Sequence, residues 1–168
     1  MGVASSCRSI SSLGRDKILP RFDNSFVSVV LPDGWRDDSD ADIMAFANPV
    51  EAEELTISFG QFKERIDAAH LYEMVWHLTQ QKAAALTRLT GEKLEIIEVS
   101  RTPPDVSCVA NFGAFGNKSA VYARVVVTGH PDHFITVSYY LRNCTAVTMG
   151  VATRAQSVIQ MCHDNTAV

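Results

Sequence analysis

The feature that most constrains the fold is one change of apolar periodicity in the middle of the chain. Between Asp67 and Gly91 the apolar side chains recur at about 100° per residue, the spacing of one face of an α-helix. This face consists of Leu71, Met74, Val75, Leu78, Ala85, Leu86 and Leu89. Asp67 and Gly91 are residue types that favour the two ends of a helix. The pattern predicts one long helix over 67–89.

Segments on both sides of this helix have the composition of β-strands, rich in β-branched and apolar residues and partly alternating. The predicted strands are Phe26–Leu31, Ile43–Ala47 and Leu55–Phe59 before it, and Leu94–Val99, Val106–Phe115, Ala120–Thr128 and Phe134–Leu141 after it. Short turns join neighbouring strands, which must then run antiparallel. A second helical stripe covers 153–162. The chain is therefore expected to be an α+β protein of order βββ-α-ββββ-α, with an antiparallel sheet flanked by one long and one C-terminal helix.

The chain length of 168 residues fits a single domain. We expect the domain to span 23–163, after a disordered Ser-rich tail over 1–22 and before a disordered tail over 164–168. The N-terminal segment lacks the apolar core of a secretory signal. The four cysteines are far apart and predict reduced thiols. Together these features favour a cytoplasmic location.

Charge and hydropathy argue against two classes of partner. The net charge is -4, and the 15 Lys and Arg residues are scattered along the chain. A nucleic-acid-binding surface needs a basic stripe, so nucleic acid is not an expected partner. No apolar run approaches the length of a transmembrane segment.

Two groups of histidines are candidate metal sites. His70, Glu73 and His77 share one face of the predicted helix, but that face is polar and no fourth ligand is evident. His130 and His133 flank a Pro-Asp turn, and two imidazoles alone make a weak site. Neither group favours a metal ion.

The acidic loop matches a calcium-binding loop only in part, and the chain has no catalytic motif. The Asp38–Asp42 segment resembles the start of a calcium loop, but Ile43 and Pro49 occupy the places of its required Gly and Glu. No G-x-S-x-G motif or phosphate-binding loop occurs. We expect no enzyme activity, no cofactor and no metal.

The turn Leu31-Pro32-Asp33-Gly34-Trp35, which ends the first strand, resembles the superfamily that groups PsbP, the Ran-binding Mog proteins and bacterial DcrB-like proteins. The order of elements after this turn is also similar to that superfamily. The resemblance implies a curved antiparallel sheet flanked by helices, and members that bind proteins. The bacterial branch implies chaperone-adaptors of type VI secretion effectors.

The chain is thus expected to be a non-enzymatic chaperone or adaptor that holds an apolar segment of a partner protein against exposed strands over 120–128 and 134–141. Tyr72 and Trp76 are candidate anchors, because aromatic residues dominate binding hot spots, although aromatics beside an apolar stripe also widen a core. Two alternatives stay open. An immunity protein would use the charges of Asp37, Asp38 and Asp40, and a small-molecule protein or enzyme would use a cavity under the long helix. A homodimer also stays open.

Overall fold

The structure is a computed structural model that describes residues 21–23, 25–40, 43–103 and 105–165. Most of the expected N-terminal tail lies outside these residues. The elements are β1 (Arg21–Asp23), β2 (Val27–Val30), β3 (Arg36–Asp37), β4 (Met44–Asn48), β5 (Glu53–Gln61), α1 (Ala68–Thr90), β6 (Glu95–Arg101), β7 (Cys108–Gly116), β8 (Val121–Gly129), β9 (His133–Leu141), α2 (Met149–Ile159) and β10 (Cys162–Asp164). The expected α+β class is confirmed.

Seven strands form one antiparallel sheet in the order β3-β4-β5-β9-β8-β7-β6. The helix α1 packs across β7 and β8 on one face of this sheet. Gly129 allows a close approach, since a side chain at this position would overlap Val75 of the helix. The helix therefore lies directly on the sheet at the end of β8.

The ends of α1 agree with the sequence prediction. The Asp67 side chain accepts a hydrogen bond from the backbone N–H of His70 at 2.9 Å. Gly91 has a φ of 70°, the left-handed conformation that favours glycine at a helix C-terminus. No helix in the described ranges is both long enough and apolar enough to cross a membrane.

The buried face of α1 differs from the predicted one. Its buried residues are Leu71, Val75, Thr79 and Leu86. Met74 and Leu89 are 38% and 80% exposed, and they were predicted to belong to the core. The helix packs on β7 and β8, and only a narrow stripe of its surface is buried there. Thr79 is accommodated because its hydroxyl donates to the Val75 carbonyl at 2.8 Å.

The second face of the large sheet is covered by α2 and by a separate three-stranded sheet. This small sheet has the order β1-β2-β10. Strand β2, expected to belong to the main sheet, instead places Val27 and Val29 in the core formed with β5 and β9, and Leu31, directly after the strand, joins them. Trp35, from the turn that follows, is also buried.

The two strands expected to offer an exposed apolar surface are interior strands. Ala123, Val125 and Val127 of β8 are buried beneath α1. Val137 and Tyr139 of β9 are buried in the other core. The prediction of an exposed β8–β9 face is wrong, because helices and a second sheet cover both sides of these strands.

The C-terminal segment extends the domain beyond its expected boundary. Helix α2 begins and ends earlier than the predicted 153–162, and Cys162–Asp164 forms β10 antiparallel to β2. The backbone N–H of Asn165 donates to the Phe26 carbonyl at 2.8 Å. The tail predicted from 164 onward therefore begins at least two residues too early.

Candidate functional site

One edge of the large sheet carries an exposed apolar strand. The sheet ends at β6. Ile96, Ile97 and Val99 of this strand are 50%, 42% and 52% exposed. The pairing of β6 with β7 shifts register between Ile96 and Glu98. Such irregularities are typical of sheet edges, where backbone groups have no neighbouring strand.

The strand register decides which β6 side chains face α1. Ile96 lies opposite Ala114, and Val99 lies opposite Phe112. Ala114 and Phe112 are part of the core beneath α1. Because paired residues share a face of the sheet, Ile96 and Val99 project on the helix side.

A groove of about 230 Å³ runs between α1 and β6, and apolar atoms form most of its wall. Its lining consists of Trp76, Thr79, Gln80, Ala83, Ile96, Val99 and Phe112. We call it the α1–β6 groove. The side chains of Trp76 and Ala83 are half-buried, so the groove is a depression beside the core and not part of it.

Arg101 closes one end of the aromatic surface beside this groove. Its guanidinium carbon lies 3.4 Å from the centroid of the Tyr72 ring and 4.9 Å from that of Trp76. Its Nη1 atom is 4.0 Å from a Glu73 carboxylate oxygen. That nitrogen is buried and has no hydrogen-bond partner among the described residues. The stacking holds both rings in place.

The two predicted anchor residues, Tyr72 and Trp76, have different surroundings in the structure. Trp76 lines the groove, whereas Tyr72 lies beneath Arg101. The sequence reasoning missed Ile96, Val99 and Arg101. Their apolar and cationic types were visible, but a strand at a sheet edge has no signature that separates it from an interior strand of the same composition.

The acidic residues Asp37, Asp38 and Asp40 are exposed near the opposite edge of the sheet, in and after β3. Asp38 accepts from Arg36 Nε at 3.1 Å, and Asp37 accepts from the Ser39 backbone N–H at 2.9 Å. Asp40 likewise accepts a backbone N–H, from residue 43, at 2.9 Å. These bonds shape the turn. The structure does not bring this surface together with Tyr72 and Trp76.

A cavity of about 590 Å³ with a mixed polar and apolar lining lies between α2 and the sheet. Its central carboxylate, Glu53, is only 3% exposed. Arg154 of α2 donates to both Glu53 oxygens, at 2.8 and 2.9 Å. The Tyr139 hydroxyl donates to Oε1 at 2.8 Å, and Asn48 donates to Oε2 at 3.4 Å. Each carboxylate oxygen of Glu53 therefore accepts two hydrogen bonds.

The electrostatics of this cluster describe an ion pair that fastens α2 to the sheet. Burial alone would raise the pKa of Glu53, but hydrogen bonds from Arg154 and Tyr139 and the charge of Arg154 outweigh it and lower the pKa. Burial, and then the bond to Glu53, raise the pKa of Tyr139. A carboxylate held as an anion by four donors is a poor proton acceptor, so these contacts do not assemble a general base.

The two histidine groups that the sequence suggested as metal sites differ in the structure: the helix histidines are apart, whereas the turn histidines lie together. On α1, His70 Nδ1 lies 2.7 Å from Asp67, and His77 Nε2 lies 2.8 Å from the Gln81 amide nitrogen. These two imidazoles therefore have different partners. His130 and His133 lie with their rings stacked at 4.6 Å, and both approach Asp164 of β10.

Comparison with known proteins identifies the fold. No family model matches the chain, and no curated protein does. Among solved structures, the cyanobacterial PsbP (CyanoP) of Synechocystis sp. PCC 6803 is 14% identical, covers 92% of this chain and 97% of its own, and has a TM-score of 0.60. The Ran-binding protein Mog1p of Saccharomyces cerevisiae is 14% identical over 83% of this chain and 90% of its own, with a TM-score of 0.49.

A protein of Bacteroides thetaiotaomicron VPI-5482 is 11% identical over 89% of this chain, with a TM-score of 0.52, and this chain spans 50% of its length. The chain is therefore similar in fold to PsbP, as the turn at 31–35 indicated. At these identities the likeness concerns the fold alone, and none of these matches extends it to the DcrB-like branch.

Proposed function

We propose that this protein is a non-enzymatic binding domain that receives an extended apolar segment of another protein in the α1–β6 groove. The observation that carries the proposal is the coincidence of two features at one place. A sheet edge with apolar residues about half exposed borders an apolar groove that contains a half-buried tryptophan.

The addition of a peptide strand to the β6 edge explains why an exposed apolar edge and an apolar groove lie side by side. A peptide that pairs with an open sheet edge satisfies the backbone groups of that edge, and alternate side chains of the peptide then enter pockets beside it. At β6 the alternate side chains on the helix side would meet Ile96, Val99 and Trp76. The register shift between Ile96 and Glu98 interrupts the regular ladder, which continues without a shift over Glu98–Arg101.

The groove is also organised before binding. Phe112 forms part of its wall from the core, and Arg101 stacks on Trp76 from the edge strand. A preorganised aromatic side chain loses little conformational entropy on binding, so its contacts contribute more to affinity.

The role that fits such a site is that of a chaperone or adaptor, which holds an apolar segment of its client and needs no catalytic group. A cytoplasmic location is part of the proposal. The thiols of Cys108, Cys144 and Cys162 are free, which suits a reducing compartment. A secreted effector would be one class of client, and its type VI assignment rests on the sequence resemblance alone.

The test uses a phage-displayed library of random ten-residue peptides, selected against the wild-type chain. We expect the selected peptides to be apolar at alternate positions. Val99→Asp and Trp76→Ala should each weaken their binding by about 30-fold or more, since hot-spot residues contribute ~2 kcal/mol or more. Val50→Asp is the matched control, because Val50 is also exposed but lies in the turn between β4 and β5.

Circular dichroism and a denaturation midpoint for each variant separate lost binding from lost folding. Peptides that bind equally well to the Val99→Asp variant would contradict the proposal. Loss of binding on reversal of Asp37, Asp38 and Asp40 to Lys would instead assign the site to the acidic loop. If the wild type dimerises and Val99→Asp makes it monomeric, the occupant of the groove is a second copy of the chain.

A further inference from the structure

Two histidines of the turn that joins β8 and β9 meet an aspartate from the C-terminal strand β10. His130 Nε2 lies 3.0 Å from Asp164 Oδ2, and His133 Nε2 lies 3.5 Å from the same oxygen. One ligand atom from each residue lies within 4.8 Å of the other two. Donor atoms around a tetrahedral zinc ion are about 3.3 Å apart, given bond lengths of ~2.0–2.1 Å. The two distances to Asp164 Oδ2 bracket that value, and the third separation lies within 4.8 Å.

The hydrogen bonding of His133 suits a metal ligand. Its Nδ1 lies 2.8 Å from the Asp132 carboxylate, while its Nε2 faces Asp164. A neutral imidazole has one N–H, and carboxylates accept only. A metal ion at Nε2 leaves the N–H on Nδ1 for Asp132. This carboxylate–histidine–metal arrangement is the usual outer shell of a protein zinc site.

The surroundings hold the three residues in place. The His130 N–H donates to the His133 carbonyl at 2.8 Å, which closes the turn. The segment between β5 and α1 is hydrogen-bonded to this turn. The backbone N–H of Phe62 donates to the Asp132 carbonyl at 2.9 Å, and that of Ile66 donates to the Pro131 carbonyl at 2.8 Å. The Phe59 ring lies at 5.5 Å from the His133 ring and gives the site an apolar wall.

We propose that His130, His133 and Asp164 form a binding site for one divalent zinc ion. Three protein ligands of the imidazole and carboxylate types leave one coordination position for water. The side chains of His130 and Asp164 are 17% and 18% exposed, which admits that water and the ion. The site shares no residue with the α1–β6 groove, so the zinc experiments test it independently of the proposed function.

The site would fasten the two sheets together. His130 and His133 belong to the hairpin of the large sheet, whereas Asp164 belongs to β10 of the small sheet. A bound ion that contacts both would stabilise the pairing of β10 with β2. An ion that binds only the folded chain raises its thermal midpoint, and the gain in stability grows with the logarithm of the ion concentration above Kd.

The experiment titrates zinc chloride into the full chain in competition with a chromophoric chelator. We expect one equivalent to bind. Asp132→Asn should lower the zinc affinity by about 10- to 100-fold, the usual effect of losing an outer-shell partner. His130→Gln and Asp164→Asn should each lower it further. His70→Gln is the matched control, because His70 also contacts a carboxylate but has no second imidazole in its cluster.

Two measurements on the wild type keep the test valid if a variant unfolds. Imidazole nitrogen NMR signals of His130 and His133 should shift with one equivalent of zinc, while those of His70 and His77 stay unchanged. Amide hydrogens of β10 should exchange more slowly in zinc, and those of α1 should not. Absence of saturable binding, or zinc shifts at His70 and not at His133, would overturn the site.

Discussion

At the scale of single residues, Glu53 carries the most consequential interactions. It is buried between Arg154 of α2, Tyr139 of β9 and Asn48 of β4, so one carboxylate links three elements. Removing one partner of a buried ion pair leaves the other charge uncompensated. The sequence contained no sign of this pair, because Glu53 and Arg154 lie about 100 positions apart.

The ion pair predicts how stability depends on pH. The pKa of Glu53 is lower in the folded chain than its ordinary value of 4.5. The pair's contribution is therefore complete above about pH 4.5 and is lost as the pH falls through the folded pKa. Glu53→Gln should reduce the free energy of unfolding at pH 7 and should flatten its decline in acid. Urea denaturation at pH 7, 4.5 and 3 measures both effects.

We expect the loss at pH 7 to be about 2 kcal/mol, below the ~3–5 kcal/mol of a fully buried pair, because the Arg154 side chain is 40% exposed. Glu54→Gln is the control. Glu54 is the next residue on β5 and pairs with Arg142 in an exposed salt bridge, so its loss should cost at most ~1 kcal/mol. Equal losses for the two variants would contradict the assignment of Glu53 as the anchor of α2.

At the scale of elements, α1 shows what periodicity can and cannot establish. The sequence correctly predicts its two caps, Asp67 and Gly91, because capping depends on residues within one turn of the helix end. The buried stripe predicted from the sequence is wider than the one in the structure. The pattern includes Met74, Leu78 and Leu89, whereas the sheet covers a narrower face.

This difference gives a prediction about two leucines of the same helix. Leu71 is fully buried, and Leu78 is half-buried at the rim of the core. Leu71→Ala should cost about 2–5 kcal/mol through the cavity that it leaves. Leu78→Ala should cost about 1 kcal/mol, because less apolar surface returns to water. Chemical denaturation midpoints of the two variants, measured side by side, test the phase of the helix. Equal losses at the two positions would instead favour the broader buried stripe that the sequence predicts.

At the scale of the whole molecule, the small sheet joins the two ends of the described chain. Strand β2 pairs with β1 on one side and with β10 on the other. The C-terminal residues therefore belong to the fold. Pairings of this kind are set by contacts between segments far apart in sequence, which local patterns do not reveal.

Truncations test this arrangement. Residues 1–20 lie outside the described residues and have no apolar periodicity, so we expect their deletion to leave the thermal midpoint nearly unchanged. Deletion of the chain after Gln160 removes β10 and should lower the midpoint by several degrees, since ~1 kcal/mol corresponds to about 2–4 °C in a domain of this size. Differential scanning calorimetry of both truncations measures the shifts. An unchanged midpoint would show that β10 does not contribute to stability.

The sequence by itself determined the fold class, the long helix with its ends, seven of the ten described strands and the turn that resembles PsbP. These features depend on side-chain periodicity and on turn chemistry, which act over a few residues. Only the tertiary structure decided that β6 is a sheet edge, that β8 and β9 are interior, and that Asp164 meets His130 and His133. Each of these depends on which segments pair across the chain, and the free energy of such pairing comes from burial that the whole fold creates.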